Sequence, residues 1–381
     1  AVMIALLGVA TIFFVWYIAR EWFPIENGQG YSLHIGALIA AGLYAITPIV
    51  IIYSRSSWNP NIMPFFALLS IYSVWQFWEK HKFKWLVVSG ISMAFVLQSH
   101  YLGLLLVPVI GLFWMLTMFE LKWSKVKGQR SKVKNFFKNS LIGLSIFVLL
   151  MSPLVIFDAR HEWRNFEAVK IFFTQRQTTI SARPWTALPK LKSLTEKIAT
   201  RLVSGTDVIA GKRVVIGFLV GVVWLVVLNY RKLKPKERNT YLLIVIWITF
   251  ALVGLGVYKQ EIYDHYYGFF FAAPFLLIGG LAQSLINKTR FLGSFIVIII
   301  TCYLLVVNLR NSPLKYSPNR QLQRTIEVVK AVTQYSDGEP FNFAVIAERN
   351  YEGAYMYFFE MWGILAYIPI ADILDETLKD Q

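Results

Sequence analysis

The sequence predicts an all-α polytopic membrane bundle of about ten spanning helices, followed by the start of a small α/β tail. Three observations predict it. Of the 381 residues, 56% are hydrophobic, and the mean hydropathy is +0.51. Only 16% are charged, against about 25% in an average soluble domain. The charges gather in short segments between apolar runs close to the roughly 20 residues that a membrane crossing needs. This balance excludes a soluble enzyme, a disordered chain and a disulfide scaffold. Cys302 stands alone, so no intrachain disulfide forms. The net charge of +16 raises nucleic acid as a partner, and the hydropathy argues against it.

In chain order the expected spans are 1–19, 33–53, 61–78, 85–99, 101–119, 139–157, 213–230, 241–258, 265–285 and 291–308. The chain starts inside the first, with no initiator Met, charged leader or signal peptide ahead of it. It is therefore expected to be a fragment lacking its N-terminal part. The stretch 85–118 reads as two short helices turning at Ser99-His100-Tyr101, or as a broken pair. No charged residue sits mid-span, so backbone groups are satisfied within helices.

Lys and Arg set the orientation. The connections after the first, third, fifth, seventh and ninth spans carry eighteen of them, Lys122 to Lys138 and Arg231 to Arg238 being the densest runs. The short connections on the other side carry two, Arg55 and Lys259. The basic loops are expected in the cytoplasm. The opposite face then holds 54–60, the turn at His100, the loop 158–212, the loop 259–264 and the tail. Asn287-Lys288-Thr289 matches a glycosylation acceptor, but it falls on the cytoplasmic side and reads as chance.

Two regions lie outside the membrane. In the loop 158–212, Leu188, Leu191, Leu194, Ile198 and Leu202 follow helical spacing, accompanied by Lys190, Lys192, Lys197 and Arg201. This predicts an amphipathic helix lying in the interface or packed on the bundle by its leucines. The bundle domain is expected over 1–308, including this loop. The tail, 309–381, reads as helix 319–335, a turn at Asp337-Gly338-Glu339-Pro340, a strand Phe341–Ile346, a helix near 351–362 and a strand near Tyr367-Ile368. One or two strands make no stable sheet alone, so this domain is expected to be incomplete.

Four polar constellations fall on the outer face. In Ser54-Arg55-Ser56-Ser57-Trp58-Asn59-Pro60-Asn61, Asn59 is placed to cap the next helix, with Pro60 in its first turn. Arg55 suits a phosphate, or snorkels to lipid headgroups. Gln98-Ser99-His100-Tyr101 offers a His that binds phosphate, shuttles a proton or only completes a turn. In Asp158-Ala159-Arg160-His161-Glu162-Trp163-Arg164, Asp158 and Glu162 share a face if the segment is helical, as do Arg160 and Arg164. That arrangement gives a base flanked by phosphate binders, or interfacial ion pairs of little worth. Tyr258 to Tyr267 interleaves Lys259, Glu261, Asp264 and His265 with tyrosines. An aromatic belt explains the tyrosines but not the charges, and such a cluster grips a sugar by stacking and hydrogen bonds. No Walker, GxSxG, HExxH or CxxC pattern is present, and no metal-ligand spacing.

The chain resembles the GT-C membrane glycosyltransferases, in the branch of bacterial and archaeal relatives of dolichyl-phosphate-mannose–protein mannosyltransferases and aminoarabinose transferases. The resemblance rests on Tyr53-Ser54-Arg55 with Trp58-Asn59-Pro60-Asn61 and Pro64-Phe65-Phe66, and on Ser99-His100-Tyr101 with Leu104-Leu105-Leu106-Val107-Pro108. It continues in Ser152-Pro153-Leu154 with Phe157-Asp158 and His161-Glu162, and in His265-Tyr266-Tyr267 with Pro274 and Leu276-Leu277. It covers most of 1–308. It implies transfer of one sugar from a polyprenyl-phosphate donor to a lipid, protein or glycan acceptor outside the cytoplasm, in the plasma membrane of a bacterium or archaeon. No nucleotide cofactor or nucleic acid is then involved; a divalent metal is left open. The principal catalytic carboxylate is expected in a loop absent from this sequence, with Asp158, Glu162 and Asp264 assisting. Donor phosphate and sugar are expected to meet Arg55, Asn59, His100, Tyr101, Arg160, His161, Tyr263, His265 and Tyr266. The rival readings are an oligosaccharide ligase or oligosaccharyltransferase using a diphosphate-linked donor, and a lipid-linked sugar flippase.

Overall fold

The computed structural model describes residues 2–25, 33–123, 129–174, 181, 183–225, 233–346 and 352–367. Two compact units form, Ala1–Pro313 and Leu314–Gln381. The first is a helical bundle whose long helices alternate in direction. It opens with α1 (Val2–Trp22), α2 (Ile35–Ile46) and α3 (Pro48–Arg55). Pro48 cannot continue α2, so α3 leaves at 63°, and the Thr47 hydroxyl donates to the carbonyl of Leu43 at 2.8 Å. A 3-10 turn, Asn59–Ile62, leads into α4 (Met63–Trp78). Then come α5 (Trp85–Ser99), a second 3-10 turn over Tyr101–Leu106, and α6 (Val107–Trp123).

The long α7 (Gln129–Arg160) runs through Pro153. Proline removes the N–H that would meet the carbonyl of Leu149, and the Ser152 hydroxyl donates to that carbonyl instead, at 2.6 Å. The Ser152-Pro153 pair is thus structural. After α8 (Arg164–Thr174) and α9 (Leu188–Ile198), a π turn (Ala199–Val203) reaches α10 (Val208–Val223). The bundle closes with α11 (Pro235–Val257), α12 (Ala273–Thr289) and α13 (Phe291–Arg310).

Among the described residues each expected span falls largely on helix; residues 1 and 226–230 lie outside them. Five helices are long and apolar enough to cross a membrane, and two bent pairs raise the number to seven among the described residues. The expected spans 61–78 and 85–99 appear as helices of 16 and 15 residues, while 226–230 of the expected span 213–230 lie outside the described residues. At 1.5 Å per residue the two helices are about 22–24 Å long, short of a hydrocarbon core of roughly 30 Å. α4 is the core of the unit: all of Ser70–Trp78 is buried among α1, α5 and α6. Helices approach closely where glycines face one another. A Cβ on Gly36 of α2 would lie 2.3 Å from the carbonyl oxygen of Gly279 in α12, and one on Gly90 of α5 would lie 2.2 Å from that of Gly143 in α7. Small residues of this kind let apolar helices pack without a hydrophobic driving force.

α9 is the amphipathic helix expected in the long loop. Leu194, Ile198 and Leu202 are buried against the bundle, while Leu188 is exposed. It packs on α10 and α11. In the tail unit, α14 (Gln321–Tyr335) and α15 (Gly353–Met361) accompany strands β1 (Phe341–Asn342) and β2 (Ala366–Tyr367), which pair in parallel with Phe341 opposite Ala366. Phe359, Phe341 and Phe343 form its aromatic core. The turn at Asp337-Gly338 takes positive φ at both residues. Both strands are two residues long among the described residues: the strand expected over Phe341–Ile346 is formed only at Phe341–Asn342, residues 343–346 being described but not strand, and Ile368 lies outside the described residues.

Candidate functional site

Because the helices alternate, the segments near 55–61, 99–101, 199–207 and 258–266 gather at one end of the bundle. Four turns build the site. The first follows α3, where Trp58 has an extended backbone and Pro60 begins the 3-10 turn. Asn59 is not the cap: that position falls to Trp58, without a side-chain bond. Asn61 does the fixing instead, its Nδ2 donating to the carbonyl and hydroxyl of Ser56 at 2.7 and 2.9 Å. Asn59 and Arg55 are exposed.

The second turn is His100, in extended conformation between α5 and the next 3-10 turn. Its Nδ1 accepts the N–H of Leu102 at 3.2 Å. The neutral ring therefore carries its proton on Nε2. Burial, with His265 adjacent, pushes its pKa down to about 4, so it is neutral near pH 7. His100 thus completes the turn through Nδ1.

The third turn, Tyr258–Phe270, supplies most of the side chains. His265 lies between Trp58 and Tyr266, with ring centroids at 4.5 and 4.6 Å, and is 5.6 Å from the His100 ring. Tyr263 stacks on His265 at 5.9 Å, and His100 contacts Tyr101 and Tyr266 at 4.4 and 4.9 Å. The hydroxyls of Tyr101 and Tyr258 share a hydrogen bond of 3.1 Å. Trp58 and Tyr263 are 48% and 43% exposed, so the ring cluster is open at the surface rather than sealed in the core. Tyr53 edges onto His265 from beneath, at 6.2 Å.

The fourth element is the basic stripe of α9 and its π turn. Lys190 donates to the carbonyl of Tyr258 at 3.3 Å and Lys197 to that of Ile262 at 3.1 Å. Arg201 grips both carboxylate oxygens of Asp264 through Nε, at 2.9 and 3.0 Å, and through Nη2. That hydrogen bonding holds the Arg201 pKa above its ordinary value. Successive turns of one helix thus fasten the loop that presents Tyr263, His265 and Tyr266. From the sequence these cations look like an interfacial charge pattern; their partners lie some sixty residues downstream and carry no local signal.

The third sequence constellation, Asp158 to Arg164, is not joined to this site. α7 ends at Arg160, and Glu162 and Trp163 take positive φ, so Asp158 and Glu162 do not share a helical face. Asp158 is 5% exposed and caps α8, accepting the N–H groups of Asn165 and Phe166 at 2.7 and 2.9 Å. His161 bonds the carbonyl of Phe157 at 2.7 Å and stacks on its ring. Glu162 pairs with Arg164 at 3.9 Å, and Arg160 is exposed. Gln98 bonds the carbonyl of Leu150, so Asp158 stands eight residues further along α7, about 12 Å beyond the end of α5. Among the described residues no group of three His, Cys, Asp or Glu side chains is placed to hold a metal.

What the ring cluster offers is a set of aromatic faces, a neutral imidazole donor and phenol hydroxyls; the exposed Arg55 precedes Trp58 by three residues in the chain. Residues 1–157 match the family model for dolichyl-phosphate-mannose-protein mannosyltransferase, in accord with the resemblance read from the sequence. The match contains Arg55, Trp58, His100 and Tyr101 and stops before Arg201 and His265. No curated protein and no solved structure matches the chain.

Proposed function

We propose, with residues 1–157 as a relative of the GT-C membrane glycosyltransferases, that this multi-pass membrane protein transfers one sugar from a polyprenyl-phosphate donor. The acceptor is a lipid, protein or glycan, and the reaction takes place at the extracytoplasmic face. The family match points to a membrane glycosyltransferase of the mannosyltransferase kind. The single structural observation that carries the finer reading is the ring cluster of Trp58, His100, Tyr263, His265 and Tyr266, half open at one end of the bundle. Aromatic faces bind the apolar face of a pyranose, while imidazole and phenol groups meet its hydroxyls. The bias of basic residues toward the other end supports the orientation.

The chemistry assigns roles. The bond between the anomeric carbon and the phosphate oxygen breaks, and the electron pair leaves with the polyprenyl phosphate. Arg55 and the Nε2–H of His100 stabilise that growing negative charge at the partly dry ring cluster. The acceptor hydroxyl forms the new bond and gives its proton to a carboxylate. Asp264 is held by Arg201 and serves as a fixed anchor for the loop. Tyr101, Tyr263, His265 and Tyr266 orient the sugar.

The test is transfer from a radiolabelled polyprenyl-phosphate hexose to a crude membrane acceptor extract, using the full chain in detergent. Arg55→Ala and His100→Ala are each expected to lower kcat about ten- to hundredfold, in the range for one lost transition-state donor or cation. Full activity in both variants overturns the assignment.

A further inference from the structure

A second concavity lies away from the ring cluster, between α10, α12 and α13. Its volume is about 510 Å³, inside the roughly 300–1,000 Å³ of sites that enclose small ligands. Its walls are almost wholly apolar, and none of its lining residues belongs to the cluster. Arg213, Gly217 and Gly221 follow at four-residue spacing, so they share one face of α10. The two glycines recess that face, and a Cβ built on Gly217 meets only open space.

At one end stands Arg213. Its guanidinium lies over the Tyr303 ring, 5.6 Å from the centroid, and donates through Nη1 to the Tyr303 hydroxyl at 3.0 Å. No carboxylate pairs with it among the described residues. Lys212 beside it is exposed. At the other end stands Trp224. Along α13 the lining runs from Ile296 to Leu304, about 12 Å at 1.5 Å per residue. One leaflet of hydrocarbon is about 15 Å deep, half of a roughly 30 Å core. Arg213 lies near the start of α10 and Tyr303 near the end of α13, so the cation stands at one end of the apolar cleft.

We propose that this cleft is a binding site for an anionic phospholipid, with one acyl chain between α10, α12 and α13 and its phosphate on Arg213. A planar guanidinium pre-set on an aromatic ring suits a phosphate monoanion. The length of the lining suits a chain that ends at the bilayer midplane, whereas a polyprenyl chain runs well past it. The site stands independently of the glycosyl donor reading.

The experiment uses the full chain in detergent, delipidated, with dioleoyl phosphatidylglycerol, dioleoyl phosphatidylcholine and undecaprenyl phosphate as probes. Bound lipid is counted by native mass spectrometry. The wild type is expected to retain one phosphatidylglycerol and about tenfold less phosphatidylcholine. Arg213→Gln loses about tenfold in phosphatidylglycerol retention. Gly217→Leu fills the cleft and loses it as well, while Gly111→Leu, also facing open space but in α6, keeps it. Equal retention of the two phospholipids, or unchanged retention in Arg213→Gln and Gly217→Leu, overturns the proposal. Preferential displacement of phosphatidylglycerol by equimolar undecaprenyl phosphate overturns the phospholipid assignment. None of these outcomes depends on sugar transfer, so failure here is separable from failure of the proposed function.

Discussion

Arg201 is the hinge pin of the site, and removing it is a quantitative test of how the ring cluster is held. In Arg201→Ala, Asp264 loses all three of its bonds to the guanidinium. The pair is neither buried nor free: its side chains are 38% and 18% exposed. Truncating one partner of a buried pair costs about 3–5 kcal/mol, whereas an exposed pair is worth about 0–1 kcal/mol. Solvent screening of this pair puts the loss between them, about 1–3 kcal/mol. Lys190 and Lys197 still hold the carbonyls of Tyr258 and Ile262, so the loss falls on local opening of 258–266 rather than on the bundle. A tenfold change per 1.4 kcal/mol then makes amide exchange there roughly five- to hundredfold faster. Hydrogen–deuterium exchange with mass spectrometry on the full chain reads this segment directly. Arg201→Lys restores part of the protection, because an ammonium keeps the charge and loses the two-pronged grip. Unchanged exchange over 258–266 in Arg201→Ala refutes the clamp.

Other predictions follow from single contacts. Because burial lowers the His100 pKa to about 4 from an ordinary 6.5, the unfolded chain takes up this proton first as pH falls. Its contribution to stability is whole above pH 6.5, erodes below it and is lost by about pH 4, so acid denaturation of His100→Gln should be shallower in that window. Asp158→Ala removes the cap of α8 and should cost about 1 kcal/mol, with faster exchange confined to 164–174. Ser152→Ala leaves the Leu149 carbonyl beside Pro153 without its donor; a loss of about 1 kcal/mol is expected from denaturant titration. Gly36→Ala drives a Cβ into the Gly279 backbone and should cost about 1–3 kcal/mol, visible as a lower thermal midpoint.

The helices were legible in the sequence because apolar runs and basic loops are local signals. The break at His100 and the bends at Pro48 and Pro274 fall where helix-stopping residues stand. Span lengths were less legible. α4 reads as a crossing helix by composition, yet burial on every side lets it be short. The ring cluster was half legible. His100, Tyr101, Tyr263, His265 and Tyr266 are polar or aromatic residues at helix ends, which sequence can flag, and they do converge. Arg201 was invisible as a partner of Asp264, since nothing in either segment announces a contact sixty-three residues away. Asp158 misled for the opposite reason: a carboxylate near Arg and His reads as chemistry, while its oxygens are spent on the first N–H groups of α8.

The identity of the donor's headgroup is the most direct test of the account. The full chain in detergent is offered a radiolabelled polyprenyl-monophosphate hexose and a polyprenyl-diphosphate oligosaccharide side by side, each with the same membrane acceptor extract. The aromatic cluster, with Arg55 and His100 as the proposed phosphate partners, predicts that label leaves the monophosphate donor for an acceptor and that His265→Ala abolishes most of this transfer. Label leaving only the diphosphate donor, or transfer indifferent to His265→Ala, contradicts it.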